Sequence, residues 1–173
     1  ININVSKWKT QDMVAKRQIE DGVNTHEGWV MINDLVSKGY KYQAACQLAT
    51  LKPDRLTARQ VANGDESDFF VNIEYGKRIH KALKDRFGEG DDKTIKTKEF
   101  TKEIVLSLVK LINRQGIGWA TDRMEEFINT LPNKEVAEIK NAKSTKVQRK
   151  DEKRKQILDK AFSFFLGQNN IKL

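Results

Sequence analysis

Apolar residues recur along most of this chain at spacings of three and four, the pattern of helices that bury one face. Phe100 to Ile112 carries it most strongly. Phe100, Ile104, Leu108 and Leu111 form one stripe, and Val105, Leu106, Val109 and Ile112 widen it beyond a single face, which predicts a buried central helix. Thr97 is its expected N-cap and Gly116 its expected C-terminal break. Upstream, a helix is expected from a Thr10 cap to Asp21, with Trp8, Met13, Val14 and Ile19 inward. A second, capped by Thr25, carries Trp29, Ile32, Leu35 and Val36 and stops at Gly39. Tyr42 to Leu51 is a short third helix ended by Pro53, and Thr57 with Gln60 has the form of a capping box. Ile73, Ile79, Leu83 and Phe87 mark the next helix.

Downstream of the centre, Thr121 opens a helix with Met124, Phe127, Ile128 and Leu131 inward, and Asn133 opens another with Val136, Ala137 and Ile139. The last and longest is expected over Ser144 to Leu166, where Ile157, Leu158, Ala161, Phe162 and Phe165 dock. Its half from Lys146 to Lys155 has Val147 alone as an apolar residue and should project into solvent. Ile1 to Val5 alternates like an extended arm, and Phe69-Phe70-Val71 has strand character. The expected fold is mainly α: a single multi-helix domain over 1–173, with about seven to nine helices around the central one and at most one short strand pair.

Composition supports this and adds the question of partners. Two prolines and a 32% charged fraction favour helix over sheet. The one cysteine, Cys46, cannot form an internal disulfide, and its neighbours Ala44, Ala45 and Leu48 mark it as a small buried hydrophobe. A reducing compartment, a cytoplasm, follows as the expected location. The start at Ile1, without methionine, leaves room for a larger protein of which this is part. No segment has the length and apolarity of a membrane span. A formal charge of +8 and a pI near 9.5 call for an anionic partner.

Between Lys134 and Lys160 stand ten basic residues against five acidic ones. Lys143, Lys146, Lys150 and Lys153 recur at helical spacing, so one face would carry a row of cations for a phosphate backbone, with Arg149 and Arg154 alongside. A solvated helix surface is the plain alternative. The helices either side of Gly39 form the other candidate. As a helix-turn-helix they would put Tyr42 to Thr50 in the reading position, with Lys41, Gln43 and Gln47 for phosphates and base edges. Asp34 and Lys38 stand where such a motif would have apolar residues, which leaves an ordinary helical hairpin as the competing assignment.

Nothing comparable points to catalysis. His26 and His80 have no cysteine or carboxylate at ligand spacing apart from Glu27, so no metal or cofactor is expected. Gly88-Glu-Gly-Asp-Asp lacks both the lysine of a P-loop and the ligand alternation of an EF-hand. Adjacent Glu125 and Glu126 diverge on a helix and make no carboxylate pair.

The order of landmarks resembles the helical region that follows the ParB/sulfiredoxin-like domain in proteins of phages, plasmids and other mobile elements. They are I-N-V-S-K-W-K-T-Q-D over Ile3 to Asp12, the Lys38-Gly39-Tyr40 turn, Asn63-Gly64 before Phe70-Val71, the Phe100 helix, and the closing F-F-L-G-Q-N-N-I-K-L. The family's G-x-x-R phosphate motif and alternating strands are missing, so no nuclease, nucleotidase or CTP-binding role carries over. The resemblance implies a non-enzymatic, partition-like accessory module that binds double-stranded DNA. The rival from another class is an interaction scaffold that docks an acidic protein or forms a homo-oligomer.

Overall fold

A computed structural model describes residues 9–88, 98–115 and 117–168, with only the backbone described for 98–102, 115 and 117–122. The helices are α1 (Thr10–Asp21), α2 (Glu27–Ser37), α3 (Tyr42–Thr50), α4 (Ala58–Asn63), α5 (Glu74–Phe87), α6 (Lys98–Gln115), α7 (Ile117–Thr130), α8 (Asn133–Lys140) and α9 (Lys150–Gln168). A single 3-10 turn spans Gly22–Asn24, and the described residues contain no strand. The protein is mainly α, as its periodicity predicts.

α6 is the axis of the packing. Ile104, Val105, Leu108, Val109, Leu111 and Ile112 are at most 1% exposed, and the helix packs on α3, α7 and α9. α3 is a second inner helix, which periodicity did not single out. Apart from Gln43, every one of its residues is buried, and it packs against α2, α5 and α6. Ala44, Ala45, Cys46 and Ala49 allow this because small side chains let neighbouring backbones come close. Gly76 of α5 lies so near the Leu48 carbonyl that a Cβ there would overlap it. One contiguous core runs from Val14 to Leu166, including the Phe127, Phe162 and Phe165 rings.

Three arginines fasten helix ends across this core. Arg17 donates from Nε and Nη2 to the Val61 carbonyl at 2.9 and 2.7 Å, at the end of α4. Arg86 donates to the Leu131 carbonyl just past α7. Arg154 donates to the Ile139 carbonyl, 3.1 Å away, at the end of α8. Helix C-termini carry unpaired carbonyls and a partial negative charge, and a guanidinium answers both needs.

Local signals hold or fail for identifiable reasons. The Thr57–Gln60 capping box forms with both reciprocal bonds, and Gly64 closes α4 in the left-handed region at φ 63°. Thr10 is already helical, because the Lys9 carbonyl takes the first amides. Thr25 spends its hydroxyl on the Gly22 carbonyl at 2.6 Å, so His26 caps α2, its Nδ1 accepting from Gly28 N at 2.9 Å. Ile19 is 82% exposed and Ala137 is exposed as well, both against expectation. Phe69 to Val71 is irregular backbone rather than strand: Phe70 N donates to the Ala49 carbonyl, and the Phe69 ring stacks on His26 at 4.9 Å. α7 begins at Ile117, placing Thr121 inside the helix. The arm Ile1 to Val5, Trp8, Thr97, the Phe100 side chain, residues 89–94, Gly116 and the tail from 169 lie outside the described residues.

Candidate nucleic-acid interface

The nine candidate contact residues fall on two regions, α3 with its lead-in and the stretch Lys143 to Arg154. α3 and α9 each pack on α6, but they are not a packed pair.

The basic stretch is built differently from the continuous helix expected. Thr145 closes a hydroxyl-tied turn, its Oγ1 accepting from Gln148 N at 3.1 Å while its own amide donates to the Gln148 carbonyl at 2.8 Å. Such local bonding competes with helix. Ser144 Oγ then accepts from Lys150 N at 3.1 Å, and α9 starts there, six residues after Ser144. Lys143 and Lys146 therefore sit on a loop before Lys150 and Lys153, and the single helical row of four lysines does not form. Their accessibility is unaffected: Lys143, Lys146, Arg149, Lys153 and Lys155 are exposed, and Lys150 is half-buried.

Arg154 does not belong to this surface. It is 7% exposed, pairs with Glu103 at 2.8 Å, and caps α8. On α9 it is turned from Lys153 by roughly 100°, which sends one side chain to solvent and the other into the core.

What sets the stretch apart is the density of its unpaired cations, because exposed cations elsewhere divide between paired ones and ones such as Lys41, Lys81 and Lys110 that make no ion pair among the described residues. Lys16 pairs with Glu20, Lys38 with Asp34, Lys52 with Asp68, Lys77 with Glu74, Arg78 with Glu125 and Arg123 with Glu126. In the basic stretch Arg149 meets Asp151 at 3.0 Å. Lys143, Lys146, Lys150, Lys153 and Lys155 make no ion pair among the described residues. Lys155 was part of the charge run in the sequence, but no spacing argument placed it with the others.

α3 offers little to a base edge. Gln47 is fully buried, its Nε2 donating to the Pro53 carbonyl at 2.7 Å, so it cannot reach a groove as the helix-turn-helix assignment requires. Lys41 is exposed at the helix start. Gln43, half-buried, lines a polar hollow of about 670 Å3 with Lys52, Arg55, Gln60 and Asp68. There the hydrogen bonds from Lys52 and then Gln60 hold the Asp68 carboxyl below the ordinary aspartate value.

Cys46, His26 and His80 are engaged in the packing and capping of helices. Burial pushes the Cys46 thiol up to about 11, which keeps it protonated and unreactive. His26 serves as a helix cap and His80 meets the Tyr40 ring edge-on. No group of three His, Cys, Asp or Glu residues among those described could hold a metal ion. Among the described residues no helix is long and apolar enough to cross a membrane. No protein-family model matches the chain, and neither does any curated protein or solved structure.

Proposed function

We propose that the chain is a non-enzymatic DNA-binding module that holds the phosphate backbone of a duplex with Lys143, Lys146, Arg149, Lys150, Lys153 and Lys155. The observation carrying this is the density of unpaired cations: five exposed or half-exposed lysines crowd within thirteen residues, none of them paired with a carboxylate among the described residues. Bringing like charges together costs free energy that a polyanion relieves, through direct attraction and through counter-ions released from it. Phosphate contacts position a protein without choosing a sequence, so weak discrimination is expected with α3 turned inward. The narrower assignment, a partition-like accessory of a phage or plasmid acting in a bacterial cytoplasm, draws its support from the Ile3 to Asp12, Lys38 to Tyr40 and C-terminal landmarks.

The test is a salt titration of binding to mixed-sequence duplex DNA, comparing the parent chain with a Lys146→Gln, Lys150→Gln, Lys153→Gln variant. The variant should bind more weakly, and its slope of log K against log salt should be shallower by about 0.9 for each phosphate it no longer neutralises. An unchanged slope would remove this stretch from the interface. Polyglutamate binding as tightly as the duplex would put the scaffold assignment in its place.

A further inference from the structure

A groove of about 560 Å3 lies between the end of α7, α8 and α9, walled by Phe127, Leu131, Pro132, Ile157 and Phe165. At its edge Phe164 leaves 65% of its surface in water. Ile157, Ala161 and Phe164 follow one another at spacings of four and three, so α9 carries a second apolar stripe beside the one facing the core. An aromatic knob beside an apolar hollow on the same face is a self-complementary shape.

The charges around it are self-complementary too. Lys134, Glu135 and Glu138 of α8 and Lys160 of α9 rim the groove, two cations and two anions. On a chain of formal charge +8 this patch is locally neutral. A nucleic acid or an acidic protein would meet Glu135 and Glu138, while a strongly basic partner would meet both lysines. A second copy related by a two-fold axis can set these charges in opposite pairs, since across such an axis residue i of the patch meets residue j and residue j meets residue i.

We propose that this face is a homodimer interface, with Phe164 of each copy seated in the groove of the other. An aromatic anchor in a pocket with a charged rim is the arrangement that concentrates binding energy at an interface. Phe164 lies fourteen residue steps along α9 from Lys150, about 21 Å away. Lys143 and Lys146, on the loop before α9, are not part of the groove, so a dimer would carry two such basic loops. This goes beyond DNA binding and does not depend on it.

Sedimentation of the full chain from micromolar to near-millimolar concentration should show the mass rising from 19.9 kDa toward twice that value. Phe164→Glu should weaken the association by at least about thirtyfold, the size of effect that marks an anchor residue, without changing the melt. A variant with Glu135→Lys and Glu138→Lys, and another with Lys134→Glu and Lys160→Glu, should each be monomeric alone and pair when mixed. That mixing arm stands even if Phe164→Glu folds poorly. A parent chain monomeric throughout, a Phe164→Glu variant that dimerises like the parent, or pairing seen only with added duplex overturns the proposal.

Discussion

α3 and the stretch from Lys143 to Lys155 were both candidates for touching nucleic acid, and one ended inside the protein while the other stayed largely on its surface. α3 has few large apolar side chains, yet it lies deep in the core because alanines and a cysteine let its neighbouring helices close around it. The basic stretch contains one arginine that behaves as α3 does, turned inward with its charge paired, among lysines left to the solvent. Residue type alone did not separate these outcomes. What separated them was whether each polar group found an internal partner: Gln47 the Pro53 carbonyl, Arg154 the Ile139 carbonyl and Glu103, the lysines none among the described residues.

The largest expected effect tests the interior side of that contrast. Gly76→Ala would force a methyl group into the Leu48 carbonyl of α3, a backbone atom that cannot swing aside. Urea denaturation should show a loss of about 3 kcal/mol, the upper end of the usual overpacking range. A variant as stable as the parent would mean that α3 and α5 do not approach so closely.

Arg154 and Lys153 give the next, in opposite directions. Arg154→Ala should cost about 2–3 kcal/mol of stability by stranding Glu103 and the end of α8, with DNA affinity retained once the variant is folded. Lys153→Gln should leave stability within about 0.5 kcal/mol and lower affinity. Parallel melts and binding isotherms check both. If the two variants behave alike, the division between inward and outward cations is wrong.

The smallest contrast lies within α3 itself. Gln47→Ala should cost about 1–2 kcal/mol through the broken Pro53 bond and the space left behind, and Gln43→Ala less than about 0.5 kcal/mol. Neither should change the preference between two duplex sequences in a competition assay. A specific loss of discrimination with Gln43→Ala would bring the helix-turn-helix assignment back for the exposed end of α3.

The sequence showed where large apolar residues repeat, and there it served well. The α6 stripe over Ile104, Val105, Leu108, Val109, Leu111 and Ile112, the inward faces of α2, α5 and α7, and the Thr57–Gln60 box are where the spacing put them, while Leu106 is only half-buried. It failed where a fold depends on small residues or on one polar group choosing between local partners. α3 buries alanines that carry little periodic signal, and Thr145 and Thr25 each took a nearby bond that ruled out the expected helix or cap. The candidate interface was legible as a run of charge. Its geometry was not, because a lysine beside an arginine gives no sign of which one the core will claim.

The arginine clamps also bear on how the chain reaches this structure. Arg17 reaches across 44 residues to Val61, and Arg154 across 51 to Glu103. Contacts between such distant positions require long loops to close first, whereas the helices they fasten form from neighbouring residues. Fastenings completed after the main barrier act chiefly on the rate of opening. Weakening a clamp should therefore shorten the life of the folded chain more than it delays folding, a difference that the two arms of a denaturant chevron would show for Arg17→Ala.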